Sequence, residues 1–289
     1  MPGPLLAADA PSLLYRAFFA LPASITDGED RPVNALLGTA NLLLWVLERH
    51  APRAVVLCFG AEAATYRKEL YPPYHAARPP MPDDLAWQWG EAAGFFGAFG
   101  WTVLSEDALE ADDLLGALAR VEAEAGGEAL LFTGDRDMFQ CVSEHVRVLF
   151  PRGGKDGPEE IGPAEVRARY GVDPEQVPDF IALRGDPSDG LPGAKGIGDK
   201  RAKELLRAHG SLEALVAAAG HPGTFTPRVS AALGDDADQL RAFREIATLQ
   251  PVALERPADG PTDFAAAAVA AREAGMNRLA ERLEGLAAG

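Results

Sequence analysis

Glu110-Ala111-Asp112-Asp113-Leu114-Leu115 places three carboxylates in four residues, directly before an apolar helical run from Leu114 to Val121. Acids in the first turn of a helix face the positive end of its dipole, so taken alone the stretch reads as a helix N-terminus. It is not alone. Thr133-Gly134-Asp135-Arg136-Asp137 and Gly185-Asp186-Pro187-Ser188-Asp189 carry two acids each, and Asp9 closes the first apolar run. Each of these eight carboxylates sits at the edge of an expected element. Acids placed for solubility do not usually gather there.

Working outward, Pro4 to Ala8 reads as a strand with Asp9 at its tip, and Ser12 to Leu21 as a helix. Asn34 is placed to cap a long helix through Arg49, with Leu36, Leu37, Ala40, Leu43, Leu44 and Leu47 at helical spacing. Ala54 to Phe59 is the clearest buried strand and is followed at once by Gly60. Helices are expected over 83–99, 110–125 and 136–142, and strands over 101–104, 128–133 and 145–150. That alternation predicts an α/β fold, a mostly parallel central sheet with helices on both faces. In such sheets the site lies beyond the C-terminal strand ends, where Asp9, Gly60 and Asp135 fall. After about Pro151 the strands are expected to stop, and 162–287 reads as short helices with Gly and Pro breaks. This divides the chain into a core over residues 1–160 and a helical region over 161–289.

Residues 61–82 interrupt the alternation. Pro72, Pro73, Pro79, Pro80 and Pro82 break any regular helix there. With Arg67, Lys68, Arg78, Tyr66, Tyr71 and Tyr74, the segment reads as exposed, partly basic and aromatic. Trp87 and Trp89 follow it. They could stack on unpaired bases, but at this helical spacing core packing for one and partial exposure for the other is the simpler reading.

The chain has 289 residues, enough to bury a sizeable core. Its net charge of −16 argues against generic nucleic-acid binding. Setting the eight clustered acids aside leaves −8, and two divalent ions would add four positive charges locally, so global charge does not decide the partner. Cys58 and Cys141 lie in apolar segments and read as reduced, buried thiols. No apolar run approaches the roughly 18 residues of a membrane span, and Met1-Pro2-Gly3-Pro4 lacks a basic leader. A cytoplasmic protein is expected.

Acidic clusters without His or Cys suit hard cations, Mg²⁺ or Mn²⁺. Glu110 and Asp113 are expected to share a helix face, with Asp112 turned toward a neighbouring ion. Asp135 with Asp137, and Asp186 with Asp189, form two further pairs. Two ions about 3.5–4 Å apart would serve in-line displacement at phosphorus, one activating water and the other stabilising the leaving oxygen.

Leu191-Pro192-Gly193-Ala194-Lys195-Gly196-Ile197-Gly198-Asp199-Lys200-Arg201 leads into an amphipathic helix. Its glycines let backbone approach a ligand closely. Between Arg184 and Arg207 there are six Lys/Arg against four Asp/Glu, a local net of +2 in a strongly acidic chain. The stretch reads either as a hairpin that holds backbone phosphates without reading bases or as an ordinary helix–turn–helix connection.

These motifs, in this order and spacing, resemble the 5′-nuclease superfamily, the bacterial 5′→3′ exonucleases or flap endonucleases. The likeness runs from Leu5 to about Leu215 and is carried by Glu110-Ala-Asp-Asp, Thr133-Gly-Asp-Arg-Asp and the stretch from Gly185 to Lys200. It implies a PIN-like core and a helix–three-turn–helix over about 178–218, with Gly193, Lys195, Gly196, Gly198, Lys200 and Arg201 binding DNA and a K⁺ ion held there. It implies a first metal near Asp9, Glu110, Asp112 and Asp135, a second near Asp137, Asp186 and Asp189, and Asp113 near or between them. Residues 61–82 would be the arch over a single-stranded 5′ end, with Tyr74 as its aromatic DNA contact. Arg67, His75 and Arg78 would stabilise transition-state charge.

Three departures stand out. The family has Asp where this chain has Gly60, which would leave one flank of the first metal open; Glu62 is two residues on. The first strand ends Ala8-Asp9-Ala10 rather than Val-Asp-Gly. The arch lysine is replaced by His75, a weaker electrophile when neutral, or a loop histidine with no catalytic part. The resemblance therefore implies a monomeric, stand-alone metal-dependent nuclease for DNA 5′ flaps and 5′ ends, leaving a 5′ phosphate. Two rivals are a DNA-binding relative without chemistry and a nuclease acting mainly on RNA.

Overall fold

The computed structural model describes residues 3–152 and 157–288. Met1 and Pro2, part of the stretch in which no leader is expected, lie outside them, as do residues 153–156 and Gly289. In chain order the elements begin β1 (Leu5–Asp9), α1 (Ala10–Ala20), α2 (Asn34–His50), β2 (Ala54–Gly60), α3 (Thr65–Leu70), α4 (Asp83–Gly97) and β3 (Thr102–Glu106). Next come α5 (Ala111–Glu124), β4 (Ala129–Phe132), a 3₁₀ turn over Asp137–Cys141, β5 (Val146–Phe150) and β6 (Glu159–Ile161). The helical region holds α6 (Pro163–Tyr170), α7 (Val177–Arg184), α8 (Asp199–His209), α9 (Leu212–Ala219), α10 (Pro227–Gly234), α11 (Ala237–Ala247), α12 (Phe264–Glu273) and α13 (Asn277–Ala287).

The sheet runs β3-β2-β1-β4-β5-β6, parallel through its first five strands. From β1 the chain winds outward to β2 and β3 on one side and to β4 and β5 on the other. The reversal leaves a crevice at the C-terminal ends of β1 and β4. Alternation along β1 sends Leu5 and Ala7 into one apolar layer, with α5 and the helices from α6 to α11, and Leu6 and Ala8 into the other, with α1, α2, α4, α12 and α13. Both faces are buried, which is why the strands read as unbroken apolar runs rather than alternating ones.

Several expectations need correcting. Strands do not stop at Pro151, because Glu159–Ile161 returns antiparallel to β5; three residues are too short to show a period. Asn34 does not cap α2. It lies inside the helix with its Nδ2 donating to the carbonyls of Phe18 and Leu21. The helix start is satisfied from another element: Gln88 of α4 accepts from Ala35 N at 2.7 Å. Residues 61–82 are not free of helix, since the prolines all follow Tyr71 and leave room for α3. Nor is the segment uniformly exposed, for Arg67 and Tyr74 are 3% and 4% exposed. Among the described residues, no helix is long and apolar enough to cross a membrane.

Candidate functional site

The crevice opens into a cleft of about 690 Å³ lined by Asp9, Glu110, Asp112, Asp135, Asp137, Asp186 and Asp189. Local backbone chemistry places each one. Asp9 ends β1 and caps α1, accepting from Ser12 N at 3.0 Å, while Thr133 at the end of β4 donates its hydroxyl to Asp9 Oδ2 at 2.6 Å. The same Thr133 oxygen accepts from Asp135 N at 3.0 Å, and Asp135 Oδ1 accepts from Asp137 N at 2.8 Å. Thr133 thus orients acids on both sides of the crevice. In the sequence it passed as part of a motif, and only the adjacency of β1 and β4 reveals its role.

Glu110 is the N-cap of α5 in extended backbone (φ −89°, ψ 160°), so it does not follow the helical wheel. At this 3-residue spacing Asp113 turns back to accept from Glu110 N instead of sharing a metal face. This corrects the placement of Asp113. That side chain is fully buried and turned away from the cleft, its Oδ1 accepting from Arg67 Nη2 at 3.2 Å and Gln250 N at 2.8 Å, its Oδ2 from Glu110 N. Asp112 is the α5 acid that faces the cleft.

Glu110 is held tightly. Its Oε1 accepts from Ala64 N at 2.7 Å and lies 2.9 Å from Arg67 Nη1, and its Oε2 accepts from the Tyr74 hydroxyl at 3.0 Å. Arg67 also donates to the Ile246 carbonyl. Arg67 and Tyr74 line the cleft but are buried rather than exposed as expected: both clamp Glu110, and Tyr74 stacks on His75 with centroids 3.8 Å apart. His75, at φ 55°, directs Nδ1 to the Glu62 carbonyl at 2.8 Å and Nε2 to Asp189 Oδ1 at 3.1 Å. Arg78 donates to the same Asp189 oxygen at 3.1 Å, with nearly half its side chain exposed at the mouth. Asp186 is braced by Arg184 and by Ser188. Trp87 and Trp89 are both half-buried against the core, and Trp89 reaches the cleft edge beside Tyr15.

Gly60 does not leave an open flank. A Cβ there would lie 2.6 Å from both Ala111 N and the Leu109 carbonyl oxygen, and Ala61 N bonds that carbonyl at 2.8 Å. Backbone from the start of α5 occupies the space. Glu62 does reach the cleft lining.

The electrostatics ask for a cation. Burial pushes Asp9 up; burial, then Asp135 and Asp9, pushes Asp112 well up; burial, then Asp135 and Asp189, does the same to Asp137. Burial also takes Asp135 up to about 6, with Asp189 and Asp9 adding to it. Four acids held against their own repulsion fit divalent cations better than any other ligand. Among the described residues no three such groups already converge on one point.

At the far side of the cleft, α7 and α8 flank the Gly-rich turn. Gly185 and Gly193 have positive φ, and a Cβ at Gly193 would lie 2.3 Å from Gly185 N, so two backbones touch there. Asp186 and Leu191 close the loop with paired bonds of 2.8 Å. Gly196, Gly198, Lys195, Lys200 and Arg201 are exposed beyond it.

Residues 4–171 match the model of the 5′-3′ exonuclease N-terminal resolvase-like domain, and residues 172–260 that of the 5′-3′ exonuclease C-terminal SAM fold. The chain belongs to the 5′-3′ exonuclease family. It is 41% identical over 239 residues to DNA polymerase I of Mycobacterium bovis, covering 82% of this chain and 25% of that one. It is 42% identical over 214 residues to the thermostable DNA polymerase I of Thermus thermophilus, covering 74% of this chain and 25% of that one. The chain thus spans about a quarter of these relatives. Among solved structures it resembles the bacteriophage T5 flap endonuclease in a pseudo-enzyme-product complex with DNA and metal ions, at a TM-score of 0.67, 17% identity and 99% coverage of both chains. That likeness establishes the shared fold.

Proposed function

We propose that the chain is a divalent-metal-dependent, structure-specific DNA nuclease that cuts 5′ flaps and degrades 5′ ends, working as a monomer in the cytoplasm. The observation that carries this reading is the cleft itself. Eight carboxylates, Glu62 among them, line the switch point of an α/β sheet, and burial with mutual repulsion raises four of them. The family membership and the metal ions and DNA named for the phage relative point the same way.

Asp9, Glu110, Asp112 and Asp135 would hold one Mg²⁺ or Mn²⁺, and Asp137, Asp186 and Asp189 a second. Bound there, the ions would supply Lewis-acid activation of water and neutralise charge building on the phosphate. The chain's own residues do the rest. Thr133 fixes Asp9 and Asp135 relative to each other. Ala64, Arg67 and Tyr74 fix Glu110. Arg78 and His75 stand at the mouth on Asp189, where an entering phosphate would meet them. The Gly-rich turn would grip duplex phosphates, with a K⁺ ion as part of that grip.

The test is a 5′-labelled flap duplex incubated with Mg²⁺, Mn²⁺ or EDTA, beside an RNA flap of the same sequence. Cleavage of the DNA flap with either metal and none in EDTA is expected, with 5′-phosphate ends. Binding without product in both metals would leave a DNA-binding relative, and faster RNA cleavage would change the substrate.

A further inference from the structure

The basic residues counted in the Gly-rich turn are not all available to DNA. Arg184 pairs with Asp186, Arg201 with Glu204 and Lys203 with Asp199, while Arg207 donates to the Gly171 carbonyl. Among the described residues, only Lys195 and Lys200 of that set have no carboxylate or carbonyl partner. Two lysines are a weak grip for a chain carrying −16.

A third cation arrives from outside the motif. Arg228 is the second residue of α10, almost thirty residues past the turn. The packing of α8 on α9 and of α9 on α10 brings it back over Gly196. A Cβ at Gly196 would lie 2.7 Å from Arg228 Nη2, 3.0 Å from Nε and 3.1 Å from Cζ. The guanidinium therefore occupies the space that a side chain at Gly196 would fill. It is exposed, and among the described residues it has no ion-pair partner. Gly196 is favoured here by its φ of 80°, and a side chain in its place would displace the Arg228 guanidinium from this seat.

We propose that Arg228 is a phosphate-binding residue of the duplex-holding surface, supplied by α10 and preset by its seat on Gly196. The proposal rests on the DNA-nuclease reading above. Its planar fork can present two N–H groups to one phosphate, and its seat removes much of the rotamer freedom that a lysine loses on binding. The sequence hid it because it lies past about Leu215, where the resembling stretch ends, in a region that reads only as short helices with Gly and Pro breaks.

Binding of a 5′-flap DNA duplex in EDTA is measured across a salt series for the wild-type chain, Arg228→Gln, Arg228→Lys and Arg228→Glu. For Arg228→Gln the Kd should rise about 3- to 10-fold at moderate salt, and the slope of log Kd against log salt should shrink by about one contact. Arg228→Lys should recover most of the slope, and Arg228→Glu should bind worst. In cleavage assays KM should rise while kcat at saturating substrate holds, and the melting temperature should stay within about 2 °C of wild type because the residue is exposed. Unchanged Kd and slope in Arg228→Gln and Arg228→Glu, with the wild-type chain binding and cutting normally, would overturn this proposal alone. A weakened Kd in Arg228→Gln with an unchanged slope and a large fall in melting temperature would overturn it in favour of a packing role. A wild-type chain that binds no DNA would overturn both this and the nuclease reading.

Discussion

The Thr133 hydroxyl donates to Asp9 Oδ2 at 2.6 Å and accepts from Asp135 N at 3.0 Å. One side chain therefore sets the distance between acids at the ends of two neighbouring strands. Outer groups that orient metal-binding carboxylates typically change metal affinity by about 10- to 100-fold when removed. Thr133→Val keeps the shape and loses both bonds. The Mg²⁺ concentration for half-maximal cleavage is expected to rise by about 10-fold or more, and Thr133→Ser to restore it. A Mg²⁺ titration of flap cleavage reads this, and an unchanged midpoint in Thr133→Val would reduce the hydroxyl to packing.

The raised acids make the metal-free protein prefer mild acid. Burial holds Asp135 at about 6, above its ordinary 3.8, and Asp9, Asp112 and Asp137 are raised as well. A carboxylate whose folded value exceeds its unfolded value binds protons more tightly when folded, so stability increases as pH falls from above 6 toward 4. Glu122 works in the opposite sense. Its burial would raise it, but hydrogen bonds from Arg53 and Arg256 outweigh that and hold it below 4.5, so its stabilisation is lost only in stronger acid. In EDTA the melting temperature is expected to be higher at pH 5.5 than at pH 7.5, by roughly 5 °C. Saturating Mg²⁺ should raise the pH 7.5 value more than the pH 5.5 value. A metal-free protein that melts lower at pH 5.5 would mean that the cleft acids are not held apart from solvent as the structure has them.

How much of this was legible follows from where the information sits. Asp9, Asp135 and Asp186 announce themselves because they end apolar runs at turns, and a parallel sheet gathers such ends. Both buried sheet faces show in runs such as Ala54–Phe59. Helical spacing from Glu110 puts Asp113 on a shared metal face, but Glu110 is a cap and not a helical residue. Prolines and charges make residues 61–82 read as exposed, whereas Arg67 and Tyr74 are buried against Glu110 and Asp113, over thirty residues away. β6 was missed because its partner, not its own pattern, makes it a strand.

Arg67 is a structural cation, and its loss should show as instability before it shows as chemistry. It is enclosed between Glu110, Asp113 and the Ile246 carbonyl, with its guanidinium 5.1 Å from the Tyr66 ring. Removing one partner of a buried charge network leaves the others uncompensated, at a cost of about 3–5 kcal/mol. Arg67→Ala is expected to lose stability on that scale in urea melts. Arg67→Lys should recover little, because an ammonium cannot reach two carboxylates and a carbonyl from one plane. Wild-type stability together with lost cleavage would return Arg67 to the reacting phosphate.

Gly60→Asp asks whether the family's missing acid can be put back. The strand end has acceptable φ, so strain of the backbone is not the obstacle. Space is. The new Cβ would meet Ala111 N and the Leu109 carbonyl oxygen at 2.6 Å, both backbone atoms fixed by the start of α5 and by the Ala61 N bond to Leu109. Neither can swing aside as a flexible side chain would, so α5 must move or β2 must bend. Overpacking of this kind typically costs about 1–3 kcal/mol, and here it would displace Glu110 and Asp112, which leave the same turn. The variant is therefore expected to melt lower and to cleave more slowly at every Mg²⁺ concentration. A tighter Mg²⁺ midpoint with wild-type stability would mean that the turn before α5 is loose enough to admit a ninth acid.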